Sequence, residues 1–262
     1  MSASSGSVRE LTALLSALRR ARHPCPAHAA QLHARLVVSA GARPHPVLLT
    51  QLVSLYAAAG RLADALRALR AHLAAANLRT YVVLVSALAR PHPGLAFSLF
   101  AGACRGLRPG PHLVSAVLAA CAGLPPLCGR QVHARAAKAV PPRDVFVYTG
   151  LVDAYAKAGD MAASRKVFDE MPCPGAASWN TLLVGYARNK MCLEALSVFR
   201  ELAGQGREVP LDQVSVSGVL SACSSAGTVD FGRQVHACAA KVGLELGAGC
   251  HHLERCHLCL HS

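Results

Sequence analysis

The chain has few aromatic side chains and little charge for its size. Aromatic residues make up 5% of its 262 residues and charged residues 16%, and tryptophan occurs once, although 53% of the residues are hydrophobic. Much of that hydrophobic content is alanine, the strongest helix former, which favours closely packed helices over a large aromatic core. Together with a mean hydropathy of +0.33, this composition excludes wholesale disorder.

Long uninterrupted apolar runs are also scarce. The uncharged stretch 109–129 contains four prolines, whereas a membrane-spanning helix needs about 20 apolar residues with an internally bonded backbone. We therefore expect a soluble protein that does not enter a membrane.

The N-terminus lacks the apolar core of a secretory signal, and its serine- and arginine-rich, acid-poor start is typical of an organellar transit peptide, here residues 1–10. An ordinary amphipathic helix beginning near Leu11 is the alternative.

Acidic residues are nearly absent from the first half of the chain. Up to Arg143 there are 17 Lys and Arg residues against Glu10 and Asp64, a balance of +15, whereas the remainder has 10 basic and 12 acidic residues. A basic half favours a polyanionic partner, because neutralised phosphates release counterions. Biased coding composition is an alternative, since Ala, Arg, Gly and Pro are enriched together.

The 11 cysteines do not form the even, regularly spaced set of a disulfide framework. They are scattered through helical patterns, where reduced cysteine acts as a small buried apolar residue. We therefore expect a reducing compartment.

Three sequence patterns recur about one hundred residues apart. A Gln-x-His-Ala pattern begins at residues 31, 131 and 234, and a Leu-Val-x-x-Tyr-Ala-x-Ala-Gly pattern begins at 52 and 151. A third pair joins residues 80–82 to 178–180, and the constant order and period indicate an internal repeat. His33, His133 and His236 lie one per repeat and cannot share one metal site, so we expect packing or hydrogen-bonding roles on second helices.

Residues 145–175 show the smaller unit of this repeat. Leu151, Val152 and Tyr155 share one helix face by their spacing, Gly159 suits a helix C-terminus, and Asp160 supplies an N-cap oxygen for a second helix. Val167, Phe168 and Met171 repeat the apolar spacing until Pro172 stops it. One such hairpin cannot bury both its helices, so neighbours must stack. The pattern predicts an all-α solenoid, with Trp179 in a hairpin core.

These residues resemble the pentatricopeptide-repeat family, and specifically its plant subgroup of alternating P, L and S motifs. The resemblance is closest over 144–243 and extends over about 11–247. It implies a right-handed superhelix of stacked hairpins. The approximate motifs are 11–45, 46–77, 78–110, 111–144, 145–175, 176–212 and 213–247. The motif at 78–110 departs from the family pattern, because Pro91 and Pro93 are expected to break the turn between its helices.

The resemblance implies binding of single-stranded RNA at one base per motif, mainly through the fifth and last residues of each motif. It pairs Asn180 with Asp212 for uracil and Thr50 with Asn77 for adenine, and apolar second residues would sandwich the bases. A purely structural role at the start of the helix is an alternative for Thr50. Further candidates are Thr149, whose partner position is Gly175, and Ser115 with Asp144. The charge distribution adds candidate phosphate contacts at Arg130, Arg135, Lys138 and Arg143.

The resemblance implies a binding protein and not an enzyme, with no cofactor and no metal. We expect a monomeric specificity factor for organellar RNA editing or processing that acts through recruited editing or processing proteins. The mitochondrion is slightly favoured over the chloroplast. A helical protein–protein scaffold, or an array too short to bind RNA tightly, remains an alternative.

The repeat pattern stops before residues 248–262, a segment rich in cysteine and histidine. Many relatives end in a cytidine-deaminase-like domain, whose zinc site uses His-x-Glu and Cys-x-x-Cys elements. Here His252-x-Glu254 and Cys256-x-x-Cys259 lie one residue apart, which leaves no room for a substrate pocket. A small zinc knuckle from this segment is conceivable, but we expect a frame-shifted or alternatively spliced end and an apparently truncated protein.

Overall fold

A computed structural model describes residues 33–34, 45–139, 144–204, 213–226 and 229–241. From residue 45 onward the described residues form twelve α-helices in six hairpins, so the predicted all-α class of stacked helical hairpins is confirmed. The helices are α1 Pro46–Ala58, α2 Leu62–Ala71, α3 Leu78–Leu88, α4 Pro93–Ala103, α5 Pro111–Cys121, α6 Pro126–Ala139, α7 Val145–Lys157, α8 Met161–Asp169, α9 Ala176–Arg188, α10 Cys192–Gly204, α11 Gln213–Ala226 and α12 Val229–Lys241. A short 3-10 helix, Leu73–Ala75, follows α2. None of the described helices is long and apolar enough to cross a membrane.

The chain divides into two compact units, Met1–Val140 and Pro141–Ser262. The odd-numbered helices are the first helices of their hairpins, and the even-numbered helices are the second. In the first unit α1 packs against α3 and α3 against α5; in the second unit α7 packs against α9 and α9 against α11. Each unit therefore has a layer of adjacent first helices, with the second helices packed on it.

The hairpin α7–α8 forms from the local signals that its sequence predicts. Leu151, Val152 and Tyr155 are buried, and Gly159 ends α7 in the left-handed conformation, with φ +80°. The Asp160 carboxylate then caps α8 by accepting a hydrogen bond from the backbone N–H of Ala163 at 3.1 Å. The predicted boundary between these two helices is confirmed.

The hairpin α3–α4 is intact in spite of its two prolines. We expected Pro91 and Pro93 to break its turn, but α3 ends at Leu88 and Pro93 occupies the first turn of α4. Proline is favourable there, because the first N–H groups of a helix have no intrahelical partner and the fixed φ suits the helix. The two helices pack against each other, so that prediction was wrong.

The first helices of the second unit approach each other closely at glycines. A Cβ atom added to Gly185 of α9 would lie 2.8 Å from Ala156 Cβ of α7, and one added to Gly218 of α11 would lie 2.9 Å from a Val184 methyl of α9. Real Cβ atoms essentially never come so close. The spacing of this helix layer therefore depends on these two positions.

Aromatic and histidine side chains account for several interhelical contacts. Trp179 of α9 is buried edge-on against Phe168 of α8, with ring centroids 4.7 Å apart, which confirms its predicted core position. His33 Nδ1 lies 3.2 Å from the Tyr56 hydroxyl, and burial together with the nearby His72 lowers the pKa of His33. His236 on α12 is exposed, so of the two expected roles, packing and hydrogen bonding, packing does not apply to this histidine.

Candidate nucleic-acid interface

Thr50 and Asn77 meet where α1 packs beside the start of α3. Asn77 caps α3: its Oδ1 accepts hydrogen bonds from the Thr80 backbone N–H and from the Thr80 hydroxyl, both at 3.0 Å. Thr50 Oγ1 lies 3.3 Å from the same Oδ1 and 2.8 Å from Thr80 Oγ1. The structure thus brings together the two residues that the family resemblance pairs for adenine.

The hydrogen-bond pattern fixes what this pair can offer to a ligand. The Thr50 hydroxyl oxygen lies within hydrogen-bond distance of three oxygen atoms, the Pro46 carbonyl at 2.9 Å, Thr80 Oγ1 at 2.8 Å and Asn77 Oδ1 at 3.3 Å, so its single proton is used within the protein. Asn77 Oδ1 is occupied by the cap, whereas the Asn77 amide nitrogen has two N–H donors. The pair can therefore present one acceptor and one donor side by side.

A cavity of about 350 Å³ opens at this pair, which is within the range of small-ligand pockets. Its lining residues come from α1 and from the start of α3: Val47, Thr50, Gln51, Ser54, Asn77, Arg79 and Val83. Val47 supplies an exposed apolar wall, and Arg79 supplies an exposed cation. The cavity combines an apolar surface for a planar ring with a charge suited to an anion.

A second cavity, of about 210 Å³, lies between α7 and α9 and is lined partly by Asn180. The other lining residues are Asp153, Ala156, Lys157, Thr181, Val184, Gly185 and Arg188. The Lys157 ammonium forms an ion pair with Asp153 at 2.5 Å, and Arg188 is exposed at the end of α9. Asn180 therefore faces a groove between first helices with two cations nearby.

Thr149 repeats the local arrangement of Thr50 but without a polar residue in the last position of its motif. Thr149 Oγ1 lies 2.7 Å from Ser178 Oγ, as Thr50 lies beside Thr80. Gly175 occupies the N-cap of α9 and has no side chain to make a cap hydrogen bond. Phe146, in the first turn of α7, is 84% exposed and offers a free aromatic face.

The remaining candidate residues fall into three groups. Ser115 is half-buried on α5, and Asp144 caps α7 by accepting from the Val147 N–H at 3.0 Å. Asp212 and Arg143 lie outside the described residues. Arg130, Arg135 and Lys138 are exposed on α6, which is a second helix, so they do not lie on the first-helix layer that contains the candidate base-binding residues.

Sequence reasoning missed the cations and polar residues that line the two cavities, namely Gln51, Ser54, Arg79, Asp153, Lys157, Thr181 and Arg188. One signal was available in the sequence. Lys157 and Arg188 each lie two residues before a residue in the left-handed conformation, Gly159 and Lys190 respectively. The two cations therefore occupy the same place in consecutive hairpins.

Among the described residues, no group of three or more His, Cys, Asp or Glu residues is placed to hold a metal ion.

Comparison with known proteins gives concordant matches. A family model of the pentatricopeptide repeat matches residues 146–175 and 177–207. A chloroplastic pentatricopeptide repeat-containing protein of Arabidopsis thaliana is 35% identical over 228 residues, and the mitochondrial OGR1 of Oryza sativa subsp. japonica is 34% identical over 254 residues. These matches cover 85% and 92% of this chain but 25% and 42% of those proteins, so the chain spans less than half of their length.

Among solved structures, the crystal structure of PPR10 in complex with an 18-nt psaJ RNA element has a TM-score of 0.59 and 19% sequence identity. That match covers 89% of this chain and 43% of PPR10, and it shows a shared fold. The stacked hairpins and the cavities between their first helices define a helical repeat protein. With the repeat model and the similar sequences, the chain belongs to the pentatricopeptide-repeat family.

Proposed function

We propose that the first-helix surfaces of this protein bind single-stranded RNA and recognise its bases one per motif. The observation that carries this proposal is the pair of Thr50 and Asn77, which presents an acceptor beside a donor at the mouth of a cavity. Stacked hairpins suit a linear ligand, because successive motifs offer equivalent sites at a regular spacing. The RNA bound to PPR10, the fold neighbour, supports the same ligand class.

Thr50 with Asn77 is the proposed adenine site, and the acceptor and the donor of this pair can meet one edge of that base. An adenine offers its N6 amino group as a donor next to a ring-nitrogen acceptor, which complements the acceptor of Thr50 and the donor of Asn77. The exposed Val47 side chain would contact the face of the bound ring. This contact would not depend on the identity of the base, because stacking tolerates any base.

Asn180 with Asp212 is the proposed uracil site. Ser115 with Asp144 forms a weaker proposed base contact, and so does Thr149 without a polar partner. Asn180 lies on a first helix and lines the groove between α7 and α9, which supports its part in the pair. Arg79, Lys157 and Arg188 are the proposed partners of the RNA phosphates on this layer, because each lines a cavity that a proposed base-binding residue also lines. Phosphate contacts position the strand while base contacts select it.

The proposed cellular role is that of a specificity factor for RNA editing or processing in an organelle. The similar proteins are named as chloroplastic or mitochondrial, which supports import into one of these compartments. The proposed binding surfaces select and position a base without performing chemistry, so the reaction would belong to recruited proteins. The P, L and S motif alternation within 11–247 is part of this proposal.

Replacing Asp212 with asparagine tests the uracil site. The Asp212→Asn change turns an acceptor into a side chain that also donates, so preference at a single RNA position should move from uracil toward cytosine. One paired contact typically contributes about 1–3 kcal/mol of discrimination. The measurement is selection of bound RNA from a random single-stranded pool.

The matched control is Asp230→Asn, which removes the same charge from an exposed carboxylate on the second helix α12. This control should leave every position of the selected sequence unchanged. Unchanged preference in Asp212→Asn as well, with RNA still bound, would refute the uracil assignment.

A further inference from the structure

The hydroxyl group of Thr149 has one hydrogen-bond partner within the described residues, the hydroxyl group of Ser178. Thr149 is the fifth residue of the motif 145–175, and Ser178 is the third residue of the following motif, 176–212. The two oxygens are 2.7 Å apart and join the first helices α7 and α9. Ser178 is fully buried, whereas Thr149 is half-buried. This difference in burial decides which hydroxyl group donates.

Ser178 is the donor, because its hydroxyl proton has no other acceptor in the part of the chain that the structure describes. If Thr149 donated instead, the proton of Ser178 would be buried without a partner, which is strongly unfavourable in a protein interior. Thr149 therefore accepts at its oxygen, and its own proton remains available. The half-buried Thr149 thus presents a hydrogen-bond donor on the first-helix surface.

Other hydroxyl groups on the helices use their protons within their own helix. Thr50, Ser98 and Thr181 each have a bond to the carbonyl oxygen four residues earlier, at 2.9, 2.9 and 2.7 Å respectively. Serine and threonine readily form this bond inside helices. Among the described residues, Thr149 has no such bond. The contact with Ser178 replaces it and leaves the proton of Thr149 for a ligand.

Thr50 and Thr149 occupy the same place in their motifs but offer opposite groups to a base. The Thr50 proton is used within the protein, so its oxygen suits an amino group such as that of adenine. The donor of Thr149 suits a carbonyl oxygen instead. Uracil and guanine carry a carbonyl oxygen where cytosine and adenine carry an amino group.

The surroundings of Thr149 leave room for a base. Phe146, one turn earlier on α7, is 84% exposed. Residues three apart on a helix are neighbours, so a base stacked on the Phe146 ring would bring its edge to Thr149. Gly175, the last residue of the motif, has no side chain, and a Cβ atom there would meet no atom within 4 Å. The Thr149 hydroxyl is therefore the polar group that would select the base in this motif.

We propose that Ser178 is a positioning residue that fixes Thr149 as a hydrogen-bond donor, and that the motif 145–175 thereby selects a base with a carbonyl oxygen, uracil or guanine. The base choice of this motif is then set by a buried residue of the following motif that does not itself touch the RNA. This inference rests on the proposed function, since it takes single-stranded RNA as the ligand.

The test variant is Ser178→Ala, which removes the donor that holds Thr149. The Thr149 hydroxyl should then turn to the carbonyl oxygen of Val145, four residues earlier, and present an acceptor in place of a donor. Selection of bound RNA from a random single-stranded pool measures the outcome. The relevant nucleotide lies next to the uracil that Asn180 contacts, on the side of the adenine that Thr50 contacts.

In the wild type, uracil and guanine together should be enriched over adenine and cytosine at this nucleotide by about fivefold or more, the lower end of the discrimination that one base contact provides. In Ser178→Ala this ratio should fall to parity or below, while the adenine and uracil positions of the other motifs stay unchanged. Ser178→Thr keeps the hydroxyl group and introduces the residue found at the equivalent position, Thr80, so it should retain the wild-type ratio.

The matched control is Ser164→Ala. Ser164 is equally buried on the second helix α8, and its hydroxyl donates to the Val152 carbonyl at 2.9 Å. Each alanine variant loses one buried hydrogen bond, so their melting temperatures should fall by similar amounts, but only Ser178→Ala should change base choice. In a Thr149→Val background, Ser178→Ala should cause no further change in base choice, because the group that Ser178 positions is then absent.

An unchanged ratio in Ser178→Ala, or an equal loss of preference in Ser164→Ala, would overturn this inference. Selected sequences with the expected adenine and uracil, but without uracil or guanine at the nucleotide assigned to Thr149, would overturn it and leave the proposed function intact. Absence of base preference at every position in the wild type would overturn the proposed function and this inference together.

Discussion

Replacing Gly185 with valine is expected to destabilise the second unit by about 3 kcal/mol, the upper end of the usual cost of overpacking a core. The reason is the 2.8 Å separation between a Cβ atom at this position and the Cβ of Ala156, with Met161 Cε only 3.3 Å away. Because Ala156 Cβ is attached directly to the backbone of α7, it cannot move aside, and α7 and α9 must separate. Urea unfolding monitored by circular dichroism measures the loss.

The control for this prediction is Gly129→Val on α6. A Cβ atom at Gly129 meets no atom within 4 Å, and valine has a somewhat better helix propensity than glycine. Stability should therefore stay unchanged or rise slightly. Equal destabilisation by both variants would show that close approach at Gly185 does not determine the packing of this layer. Gly185 also lines the cavity next to Asn180, so its variant should lose base discrimination at the position that Asn180 contacts.

Replacing Asn77 with aspartate is expected to change base choice without unfolding the protein. Aspartate caps a helix about as well as asparagine, so the hydrogen bond to the Thr80 N–H persists. The amide group of Asn77 can donate to the ring nitrogen of adenine. In aspartate a second carboxylate oxygen takes its place, and this oxygen can only accept a hydrogen bond. Guanine, whose ring N–H and amino group are donors, should then replace adenine, with a change in preference of about tenfold or more.

Asn77→Ala separates the two roles of this residue. It removes both the cap and the donor, so it should cost about 1 kcal/mol of stability and abolish the preference without creating one for guanine. Thermal unfolding and selection from a random pool measure the two effects. Continued preference for adenine in Asn77→Asp would contradict the assignment of Asn77 as a base-binding residue.

The fold could be predicted from the sequence where its causes are local. The spacing of Leu151, Val152 and Tyr155, the glycine at 159 and the cap at Asp160 each act within a few residues, and each is confirmed. The effect of Pro91 and Pro93 was misjudged, because the cost of a proline depends on whether it falls inside a helix or in its first turn.

The cavities could not be predicted in the same way, because they arise between neighbouring first helices. Arg79 lies near Thr50, 29 residues away in sequence, through the packing of α3 on α1. The dual role of Asn77, as cap and as candidate base contact, likewise depends on the hydroxyls of Thr50 and Thr80. Net charge indicated a polyanionic partner, but it did not show that the candidate phosphate contacts Arg130, Arg135 and Lys138 lie on a second helix, away from the layer of first helices.

The most direct test of base recognition by the first helices is selection of RNA by the wild-type protein from a random single-stranded pool. Thr50 with Asn77 and Asn180 with Asp212 belong to the proposed motifs 46–77 and 176–212, which are four motifs apart. At one base per motif, the selected sequences should contain an adenine and a uracil four nucleotides apart. Tight binding without an enriched adenine and uracil at that spacing, or no binding of single-stranded RNA at all, would contradict the account.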